Sequence, residues 1–207
     1  MNQHQLQETA FSAKFSDEIA VKLTALANAG GGVLLIGIKD NGKVVGIIPA
    51  ETEENVRFIN EKKCFPSLVL TYKTVQIDMK LVLEVTVAPP LEKPVFAIDV
   101  TRTKIAYYRG ENNLFQLSKI IVGLWNLQKK QGHATATTEV LDVVQKALLA
   151  LFEPDKHLTL SQLYKLLAVE KSVIDKSLIQ LIYRGHVGYQ MGETMRYFLQ
   201  TESGNNL

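Results

Sequence analysis

Ala25-Leu26-Ala27-Asn28-Ala29-Gly30-Gly31-Gly32-Val33-Leu34-Leu35-Ile36-Gly37-Ile38-Lys39-Asp40-Asn41-Gly42 decides the reading of this chain. Its first residues end a helix, because Ile19, Leu23, Leu26 and Ala27 recur at helical spacing. Ser16 is placed to cap that helix, and Asp17 and Glu18 put negative charge in its first turn. Gly30, Gly31 and Gly32 then let the backbone turn sharply into the apolar run Val33 to Ile38, a buried strand. Asp40-Asn41-Gly42-Lys43 is hairpin chemistry, since Asn and Gly accept positive φ, and Val44 to Ile48 is the expected return strand.

Outward from there, a helix is predicted over Glu51 to Glu61, with strands near Leu68 to Ile77 and Leu81 to Val87. Pro89, Pro90 and Pro94 interrupt the chain before strands at Val95 to Ile98 and Lys104 to Arg109. A helix from Leu114 to Gln128 would bury Leu117, Ile120, Ile121 and Leu124. Strands mixed with few helices, without βαβ alternation, predict an α+β fold with a mixed sheet over residues 1–131. The small polar stretch 132–138 reads as a linker.

Residues 139–200 read helix, helix, helix, hairpin. Val140, Val144, Ala147, Leu148 and Leu151 form the first stripe. Thr159 caps a second helix carrying Leu160, Leu163 and Leu167, and a third from Lys171 buries Ile174, Leu178 and Leu181 before stopping at Gly185. Val187 to Met191 and Met195 to Leu199 flank a wing-sized turn, so the order is that of a winged helix-turn-helix domain. Residues 201–207 form a polar tail.

Composition narrows the class. The chain has 207 residues, of which 46% are hydrophobic, enough for a real core. Cys64 is the sole cysteine, so no internal disulfide can form and a reducing compartment is expected. A polar start and no apolar run of membrane-spanning length predict a cytoplasmic protein with no membrane partner. Net charge is only +2, and its distribution says more. Residues 1–137 carry 16 Lys and Arg against 13 Asp and Glu, whereas residues 138–207 carry 7 against 8.

Two readings stand for the glycines. Exposed amides can cradle a phosphate, or the glycines only satisfy turn geometry. They follow a helix instead of preceding one, and no Gly-Lys-Ser/Thr succeeds them, so this is not a Walker loop. Arg102, Lys104 and Arg109 could form a basic edge, with Tyr107 or Tyr108 stacking on a base. The plainer alternative is an edge strand with solvated charge, and Lys62, Lys63, Lys129 and Lys130 read as solvated helix ends. His4, His133, His157 and His186 lack metal-ligand spacing, Cys64 reads as a small buried residue, and no metal or cofactor is expected. On the third helix of the second domain, Lys171, Ser172 and Lys176 would face a DNA groove, with Arg184 and Arg196 meeting phosphates. Glu170 and Asp175 share that surface, and Val173 and Ile179 look uncovered, which suits a protein interface or a homodimer instead.

The quoted stretch resembles the core signature of the AlbA-like DNA-binding domain of Schlafen-type proteins, formerly called a divergent AAA domain. A second block is similar to it: Lys93-Pro94-Val95-Phe96, then Ala106-Tyr107-Tyr108-Arg109-Gly110-Glu111-Asn112-Asn113, one residue short between Arg109 and Gly110. The resemblance spans residues 5 to 130, and a C-terminal winged helix often accompanies it. It implies nucleic acid as the partner, DNA before RNA, and a bacterial transcriptional regulator. Nuclease relatives have a Glu and then Glu-Phe-Lys ahead of the first helix. Here Gln5 and Ala10-Phe11-Ser12 occupy those positions, leaving Asp40 and the nearby Glu8. Metal-assisted cleavage needs several converging carboxylates, so binding without catalysis is expected. The expected contacts are Asn28, Gly30, Gly31, Gly32, Arg102, Tyr107 and Arg109, with Lys171, Ser172, Lys176 and Arg196 in the second domain. A Schlafen-like nuclease, an ATP-binding or ATP-hydrolysing protein, and a dimerisation module are the alternatives.

Overall fold

The computed structural model describes residues 5–8, 15–39, 41–110, 113–132, 140–153, 156–192 and 194–200. The chain divides into two units, Met1–Leu117 and Ser118–Leu207.

The first unit runs β1 (Gln5–Glu8), α1 (Phe15–Asn28), β2 (Gly32–Ile36), α2 (Pro49–Lys63), β3 (Cys64–Phe65), β4 (Leu70–Ile77), β5 (Lys80–Val87), β6 (Phe96–Ile98), β7 (Lys104–Arg109) and β8 (Leu114–Gln116). One sheet has the order β1-β2-β5-β4 and the other β3-β6-β7-β8. The pair β1–β2 is parallel and the remaining pairs are antiparallel, so the expected α+β fold with a mixed sheet is present. The stripe Ile19, Leu23, Leu26 and Ala27 sits in one core with Leu34, Ile36, Leu83, Val85 and Val87 of the first sheet. Ala97 of the second sheet, Val95 just before it, and Val56 and Ile59 of α2 join the same core. Both faces of β2 are covered, since Leu35 packs with Ile38, Val44 and Val82 on the other side. That explains the unbroken apolar run.

Three expectations change. Ser16 is not the cap of α1, which already includes Phe15. Val44 to Ile48 does not form a strand: Ile38 and Val44 make a single bridge, and Gly46, at φ 84°, bends the chain away. The N–H groups of Val45 and Gly46 both donate to the Gly37 carbonyl instead. Leu114 to Gln116 is strand and not helix, because it pairs with β7, and the following helix waits for its cap at Ser118.

The second unit runs α3 (Lys119–Gln131), α4 (Val143–Leu149), α5 (Leu160–Leu166), α6 (Lys171–Tyr183), β9 (Val187–Gln190) and β10 (Arg196–Leu199). Leu158 makes a single antiparallel bridge to Tyr197 of the two-stranded β9–β10 hairpin. Asp142 and Thr159 each close a capping box, with Gln145 and Gln162 respectively. Thr159 was readable in advance. Asp142 moves the start of α4 inward, so Val140 lies outside the helix and is 89% exposed instead of joining its stripe. Gly185, at φ 76°, ends α6 as its sequence position suggests.

The division falls before α3, whereas the small polar stretch 132–138 suggests a boundary after it. The physical reason is the contact of α3 with α6. A Cβ placed on Gly123 would lie 2.5 Å from Cδ1 of Ile179, so the two helices meet where one has no side chain. Lys119 pairs with Asp175 at 2.5 Å, and the Tyr183 hydroxyl donates to the Gly132 carbonyl at 3.0 Å. Charge is redistributed accordingly. The first unit carries 13 Lys and Arg against 13 Asp and Glu, and the second carries 10 against 8. Residues 133–139 and 201–207 lie outside the described residues.

Candidate nucleic-acid interface

The glycine turn is a helix terminus whose donors are already used. The Gly30 N–H donates to the Ala27 carbonyl at 3.0 Å and the Gly31 N–H to that of Leu26 at 2.9 Å. These two bonds are the Schellman pattern that closes a helix with an αL-type residue. Gly31 is buried against β5, where a Cβ would lie 2.8 Å from the Val87 carbonyl oxygen. Gly32, at φ 155°, opens β2 opposite Val87. Gly30 and Gly31 therefore offer no free amide to a phosphate. A helix C-terminus also carries the partial negative charge that repels one. This use of the Gly30 and Gly31 N–H groups accords with turn geometry.

Asn28 is likewise engaged within the fold. It is completely buried, and its side-chain amide joins three chain segments. Nδ2 donates to the carbonyls of Val95 at 2.8 Å and Tyr107 at 2.7 Å, while Oδ1 accepts from the Val95 N–H at 2.9 Å. It ties the end of α1 to the segment entering β6 and to β7. These bonds hold β7 in place.

What β7 presents is the basic edge. The β6–β7 turn is held by Asp99, whose carboxylate accepts from the Thr101 hydroxyl at 2.7 Å and from the N–H groups of Thr101 and Thr103, each at 2.8 Å. Those bonds, the Thr101 hydroxyl first, hold the carboxyl below its ordinary pKa. Arg102 is exposed at the tip with φ 65°, and Lys104 rests its ammonium 3.2 Å from the centre of the Phe65 ring. Tyr107 packs on the core, and burial, with the Asp99 charge adding, raises its phenol pKa. Tyr108 stacks on Phe115 at 5.6 Å between ring centres. Arg109 ends the strand opposite Leu114, only partly exposed, with a buried Nε that has no hydrogen-bond partner among the described residues. Arg102, Tyr107 and Arg109 thus share one hairpin, with Tyr107 and Arg109 on the same face by strand alternation.

In the second unit, Lys171, Ser172 and Lys176 are exposed on α6, and Arg196 is exposed at the start of β10. The Ser172 hydroxyl donates to the Glu170 carboxylate, and Lys171 lies 5.4 Å from the Tyr164 ring. Asp175 is not the free negative charge that its position suggests, because Lys119 and the Tyr164 hydroxyl both bind its carboxylate. Ile179 is not uncovered, since it fills the space above Gly123, whereas Val173 stays 37% exposed. A groove of about 210 Å³ runs along the α3–α6 seam, lined by Gly123, Asn126, Leu127, Lys130, Lys176, Ile179 and Gln180. Lys130, by sequence a solvated helix end, lies on this groove. The signal for it was Gly123, an unexplained glycine in a helix interior.

Among the described residues, no group of three or more His, Cys, Asp and Glu could hold a metal ion. Residues 10–12, Asp40, and the side chains of Gln5 and Glu8 lie outside the described residues, so the nuclease comparison made on them is not tested. Cys64 is buried, and desolvation pushes its thiol up to about 12. Alkylation at mildly alkaline pH should therefore be slow in the native chain and fast in denaturant. Equally rapid labelling in both would contradict that burial.

No curated protein sequence matches this chain. The crystal structure of the DIP2311 protein from Corynebacterium diphtheriae is similar at 19% identity and TM-score 0.45, over 73% of this chain and 30% of that one. The solution structure of the N-terminal domain of an ATP-dependent DNA helicase RecG-related protein from Nitrosomonas europaea is similar at 21% identity and TM-score 0.40. That likeness covers 55% of this chain and 82% of the other. Neither is close enough to lend a residue role. The family model described as Schlafen, AlbA_2 matches residues 3–118, which spans both sheets and the β6–β7 hairpin. With more than half of its length matched, the chain belongs to the Schlafen AlbA_2 family.

Proposed function

We propose that the chain binds nucleic acid, DNA in preference to RNA, without cleaving it, and acts as a cytoplasmic transcriptional regulator. Arg109 carries this reading. A guanidinium whose buried Nε has no partner among the described residues asks for an acceptor, and phosphate meets Arg through two parallel bonds. Its hairpin lies within the family-matched residues and adds Arg102 at the tip. We read residues 139–200 as a winged helix-turn-helix domain on the order α4, α5, α6 and the β9–β10 hairpin, with Leu158 bridged to Tyr197.

A salt-titrated mobility-shift assay with duplex DNA, single-stranded DNA and RNA tests the reading. Arg109→Ala should weaken binding about 10- to 150-fold, the range for one charge-assisted contact, and lower the salt slope by about 0.9. Arg109→Lys should recover only part of the affinity, because an ammonium cannot pair bidentately. No binding at low salt, or divalent-metal-dependent strand cleavage by the wild type, would overturn the proposal.

A further inference from the structure

The α3–α6 seam changes how the second unit can meet nucleic acid. Asp175, Ile179 and Tyr183 follow one another at four-residue intervals, so they form one stripe along α6. All three are engaged by α3 or the residue that caps it, through Lys119, Gly123 and Gly132. The contacts advance together along both helices, so α3 and α6 run parallel. A helix read by a DNA groove normally enters alone, since one helix of about 10–12 Å fills a major groove about 12 Å wide. Two helices packed about 8–10 Å apart are roughly 20 Å across and do not fit. With α3 in place, this surface is too broad to enter a major groove.

We propose that the groove between α3 and α6 binds the phosphodiester backbone of nucleic acid, gripped by Lys130 from one helix and Lys176 from the other. This rests on the nucleic-acid reading above and names its second contact. Lys130 and Lys176 are both exposed and make no ion pair among the described residues. Asn126 and Gln180 line the same groove and supply neutral amide donors. The nearest carboxylate on the α3-facing stripe, Asp175, is neutralised by Lys119 and hydrogen-bonded by Tyr164, so it does not repel an incoming anion. At about 210 Å³ the groove falls below the size of small-molecule pockets, which favours a polymer lying across it. The unit's excess of 10 Lys and Arg over 8 Asp and Glu comes from α3 itself.

The test uses the full chain in mobility-shift titrations against a duplex and a single strand of equal length. Lys130→Glu/Lys176→Glu is compared with wild type and with Lys165→Glu, a reversal at an exposed position on α5. Circular dichroism confirms that each variant is folded. The double reversal should weaken binding at least about tenfold and lower the salt slope by about 2, with Lys165→Glu near wild type. A Lys130→Arg/Lys176→Arg variant should bind like wild type. If wild type binds and the double reversal matches it in affinity and slope, the groove is overturned while the broader reading stands. If wild type binds nothing at low salt, the broader reading falls and this one with it. Competition by polyglutamate as effective as by DNA, dependent on both lysines, would assign the groove to acidic protein and overturn the backbone assignment.

Discussion

Asn28→Ala is expected to destabilise the first unit by about 3–5 kcal/mol, measured as a shift of the urea midpoint at unchanged slope. The substitution removes one side chain yet strands three backbone groups: the N–H and carbonyl of Val95 and the carbonyl of Tyr107. Each buried, unpaired group costs roughly 1–3 kcal/mol, and limited relaxation or an entering water keeps the total below the full sum. Asn28→Asp tests the geometry. It keeps an acceptor for the Val95 N–H but sets a carboxylate oxygen against two carbonyls, so it should be no better than alanine. A loss under about 1 kcal/mol for alanine would mean that the three bonds are dispensable. Because Tyr107 lies two positions before Arg109, residual folded Asn28→Ala should also bind nucleic acid less tightly.

Gly31→Ala should cost about 3–5 kcal/mol, and Gly30→Ala only about 1–2. The two glycines have nearly the same backbone, φ 98° and φ 104°, so the conformational penalty for an L side chain is shared. Their surroundings differ. At Gly30 a Cβ meets nothing within 4 Å. At Gly31 it meets the Val87 carbonyl oxygen at 2.8 Å and the Pro89 nitrogen at 3.1 Å, both backbone atoms that cannot rotate away. Thermal unfolding of the two variants side by side isolates the steric part. Equal losses would show that the close approach of α1's end to β5 is not tight.

The helix-to-strand turn, the strand β7 and the end of α6 were legible because local chemistry decides them: glycine at positive φ, alternation, and a C-terminal stop. Val44 to Ile48 was misread because its apolar pattern serves a bend packed on β5, where the Ile47 N–H donates to the Leu81 carbonyl. Burial without pairing leaves the same trace in sequence as a strand. The site was less legible than the fold. Asn28 reads as a polar residue near a loop, and only partners 67 and 79 residues away reveal it as a buried joint. The polar linker suggests a boundary after α3, whereas Gly123 beneath Ile179 packs that helix, with its three lysines, against α6.

The reach of Asn28 also sets a timetable for the nascent chain. Residue 28 cannot complete its bonds until residue 107 has left the ribosome, 79 residues later. At translation rates of about 5–20 residues per second, α1 must wait roughly 4–16 s with its apolar stripe unpaired to the second sheet. Fragments released before the β6–β7 hairpin should therefore be held by chaperones or aggregate. The first stable intermediate should appear only once that hairpin has emerged.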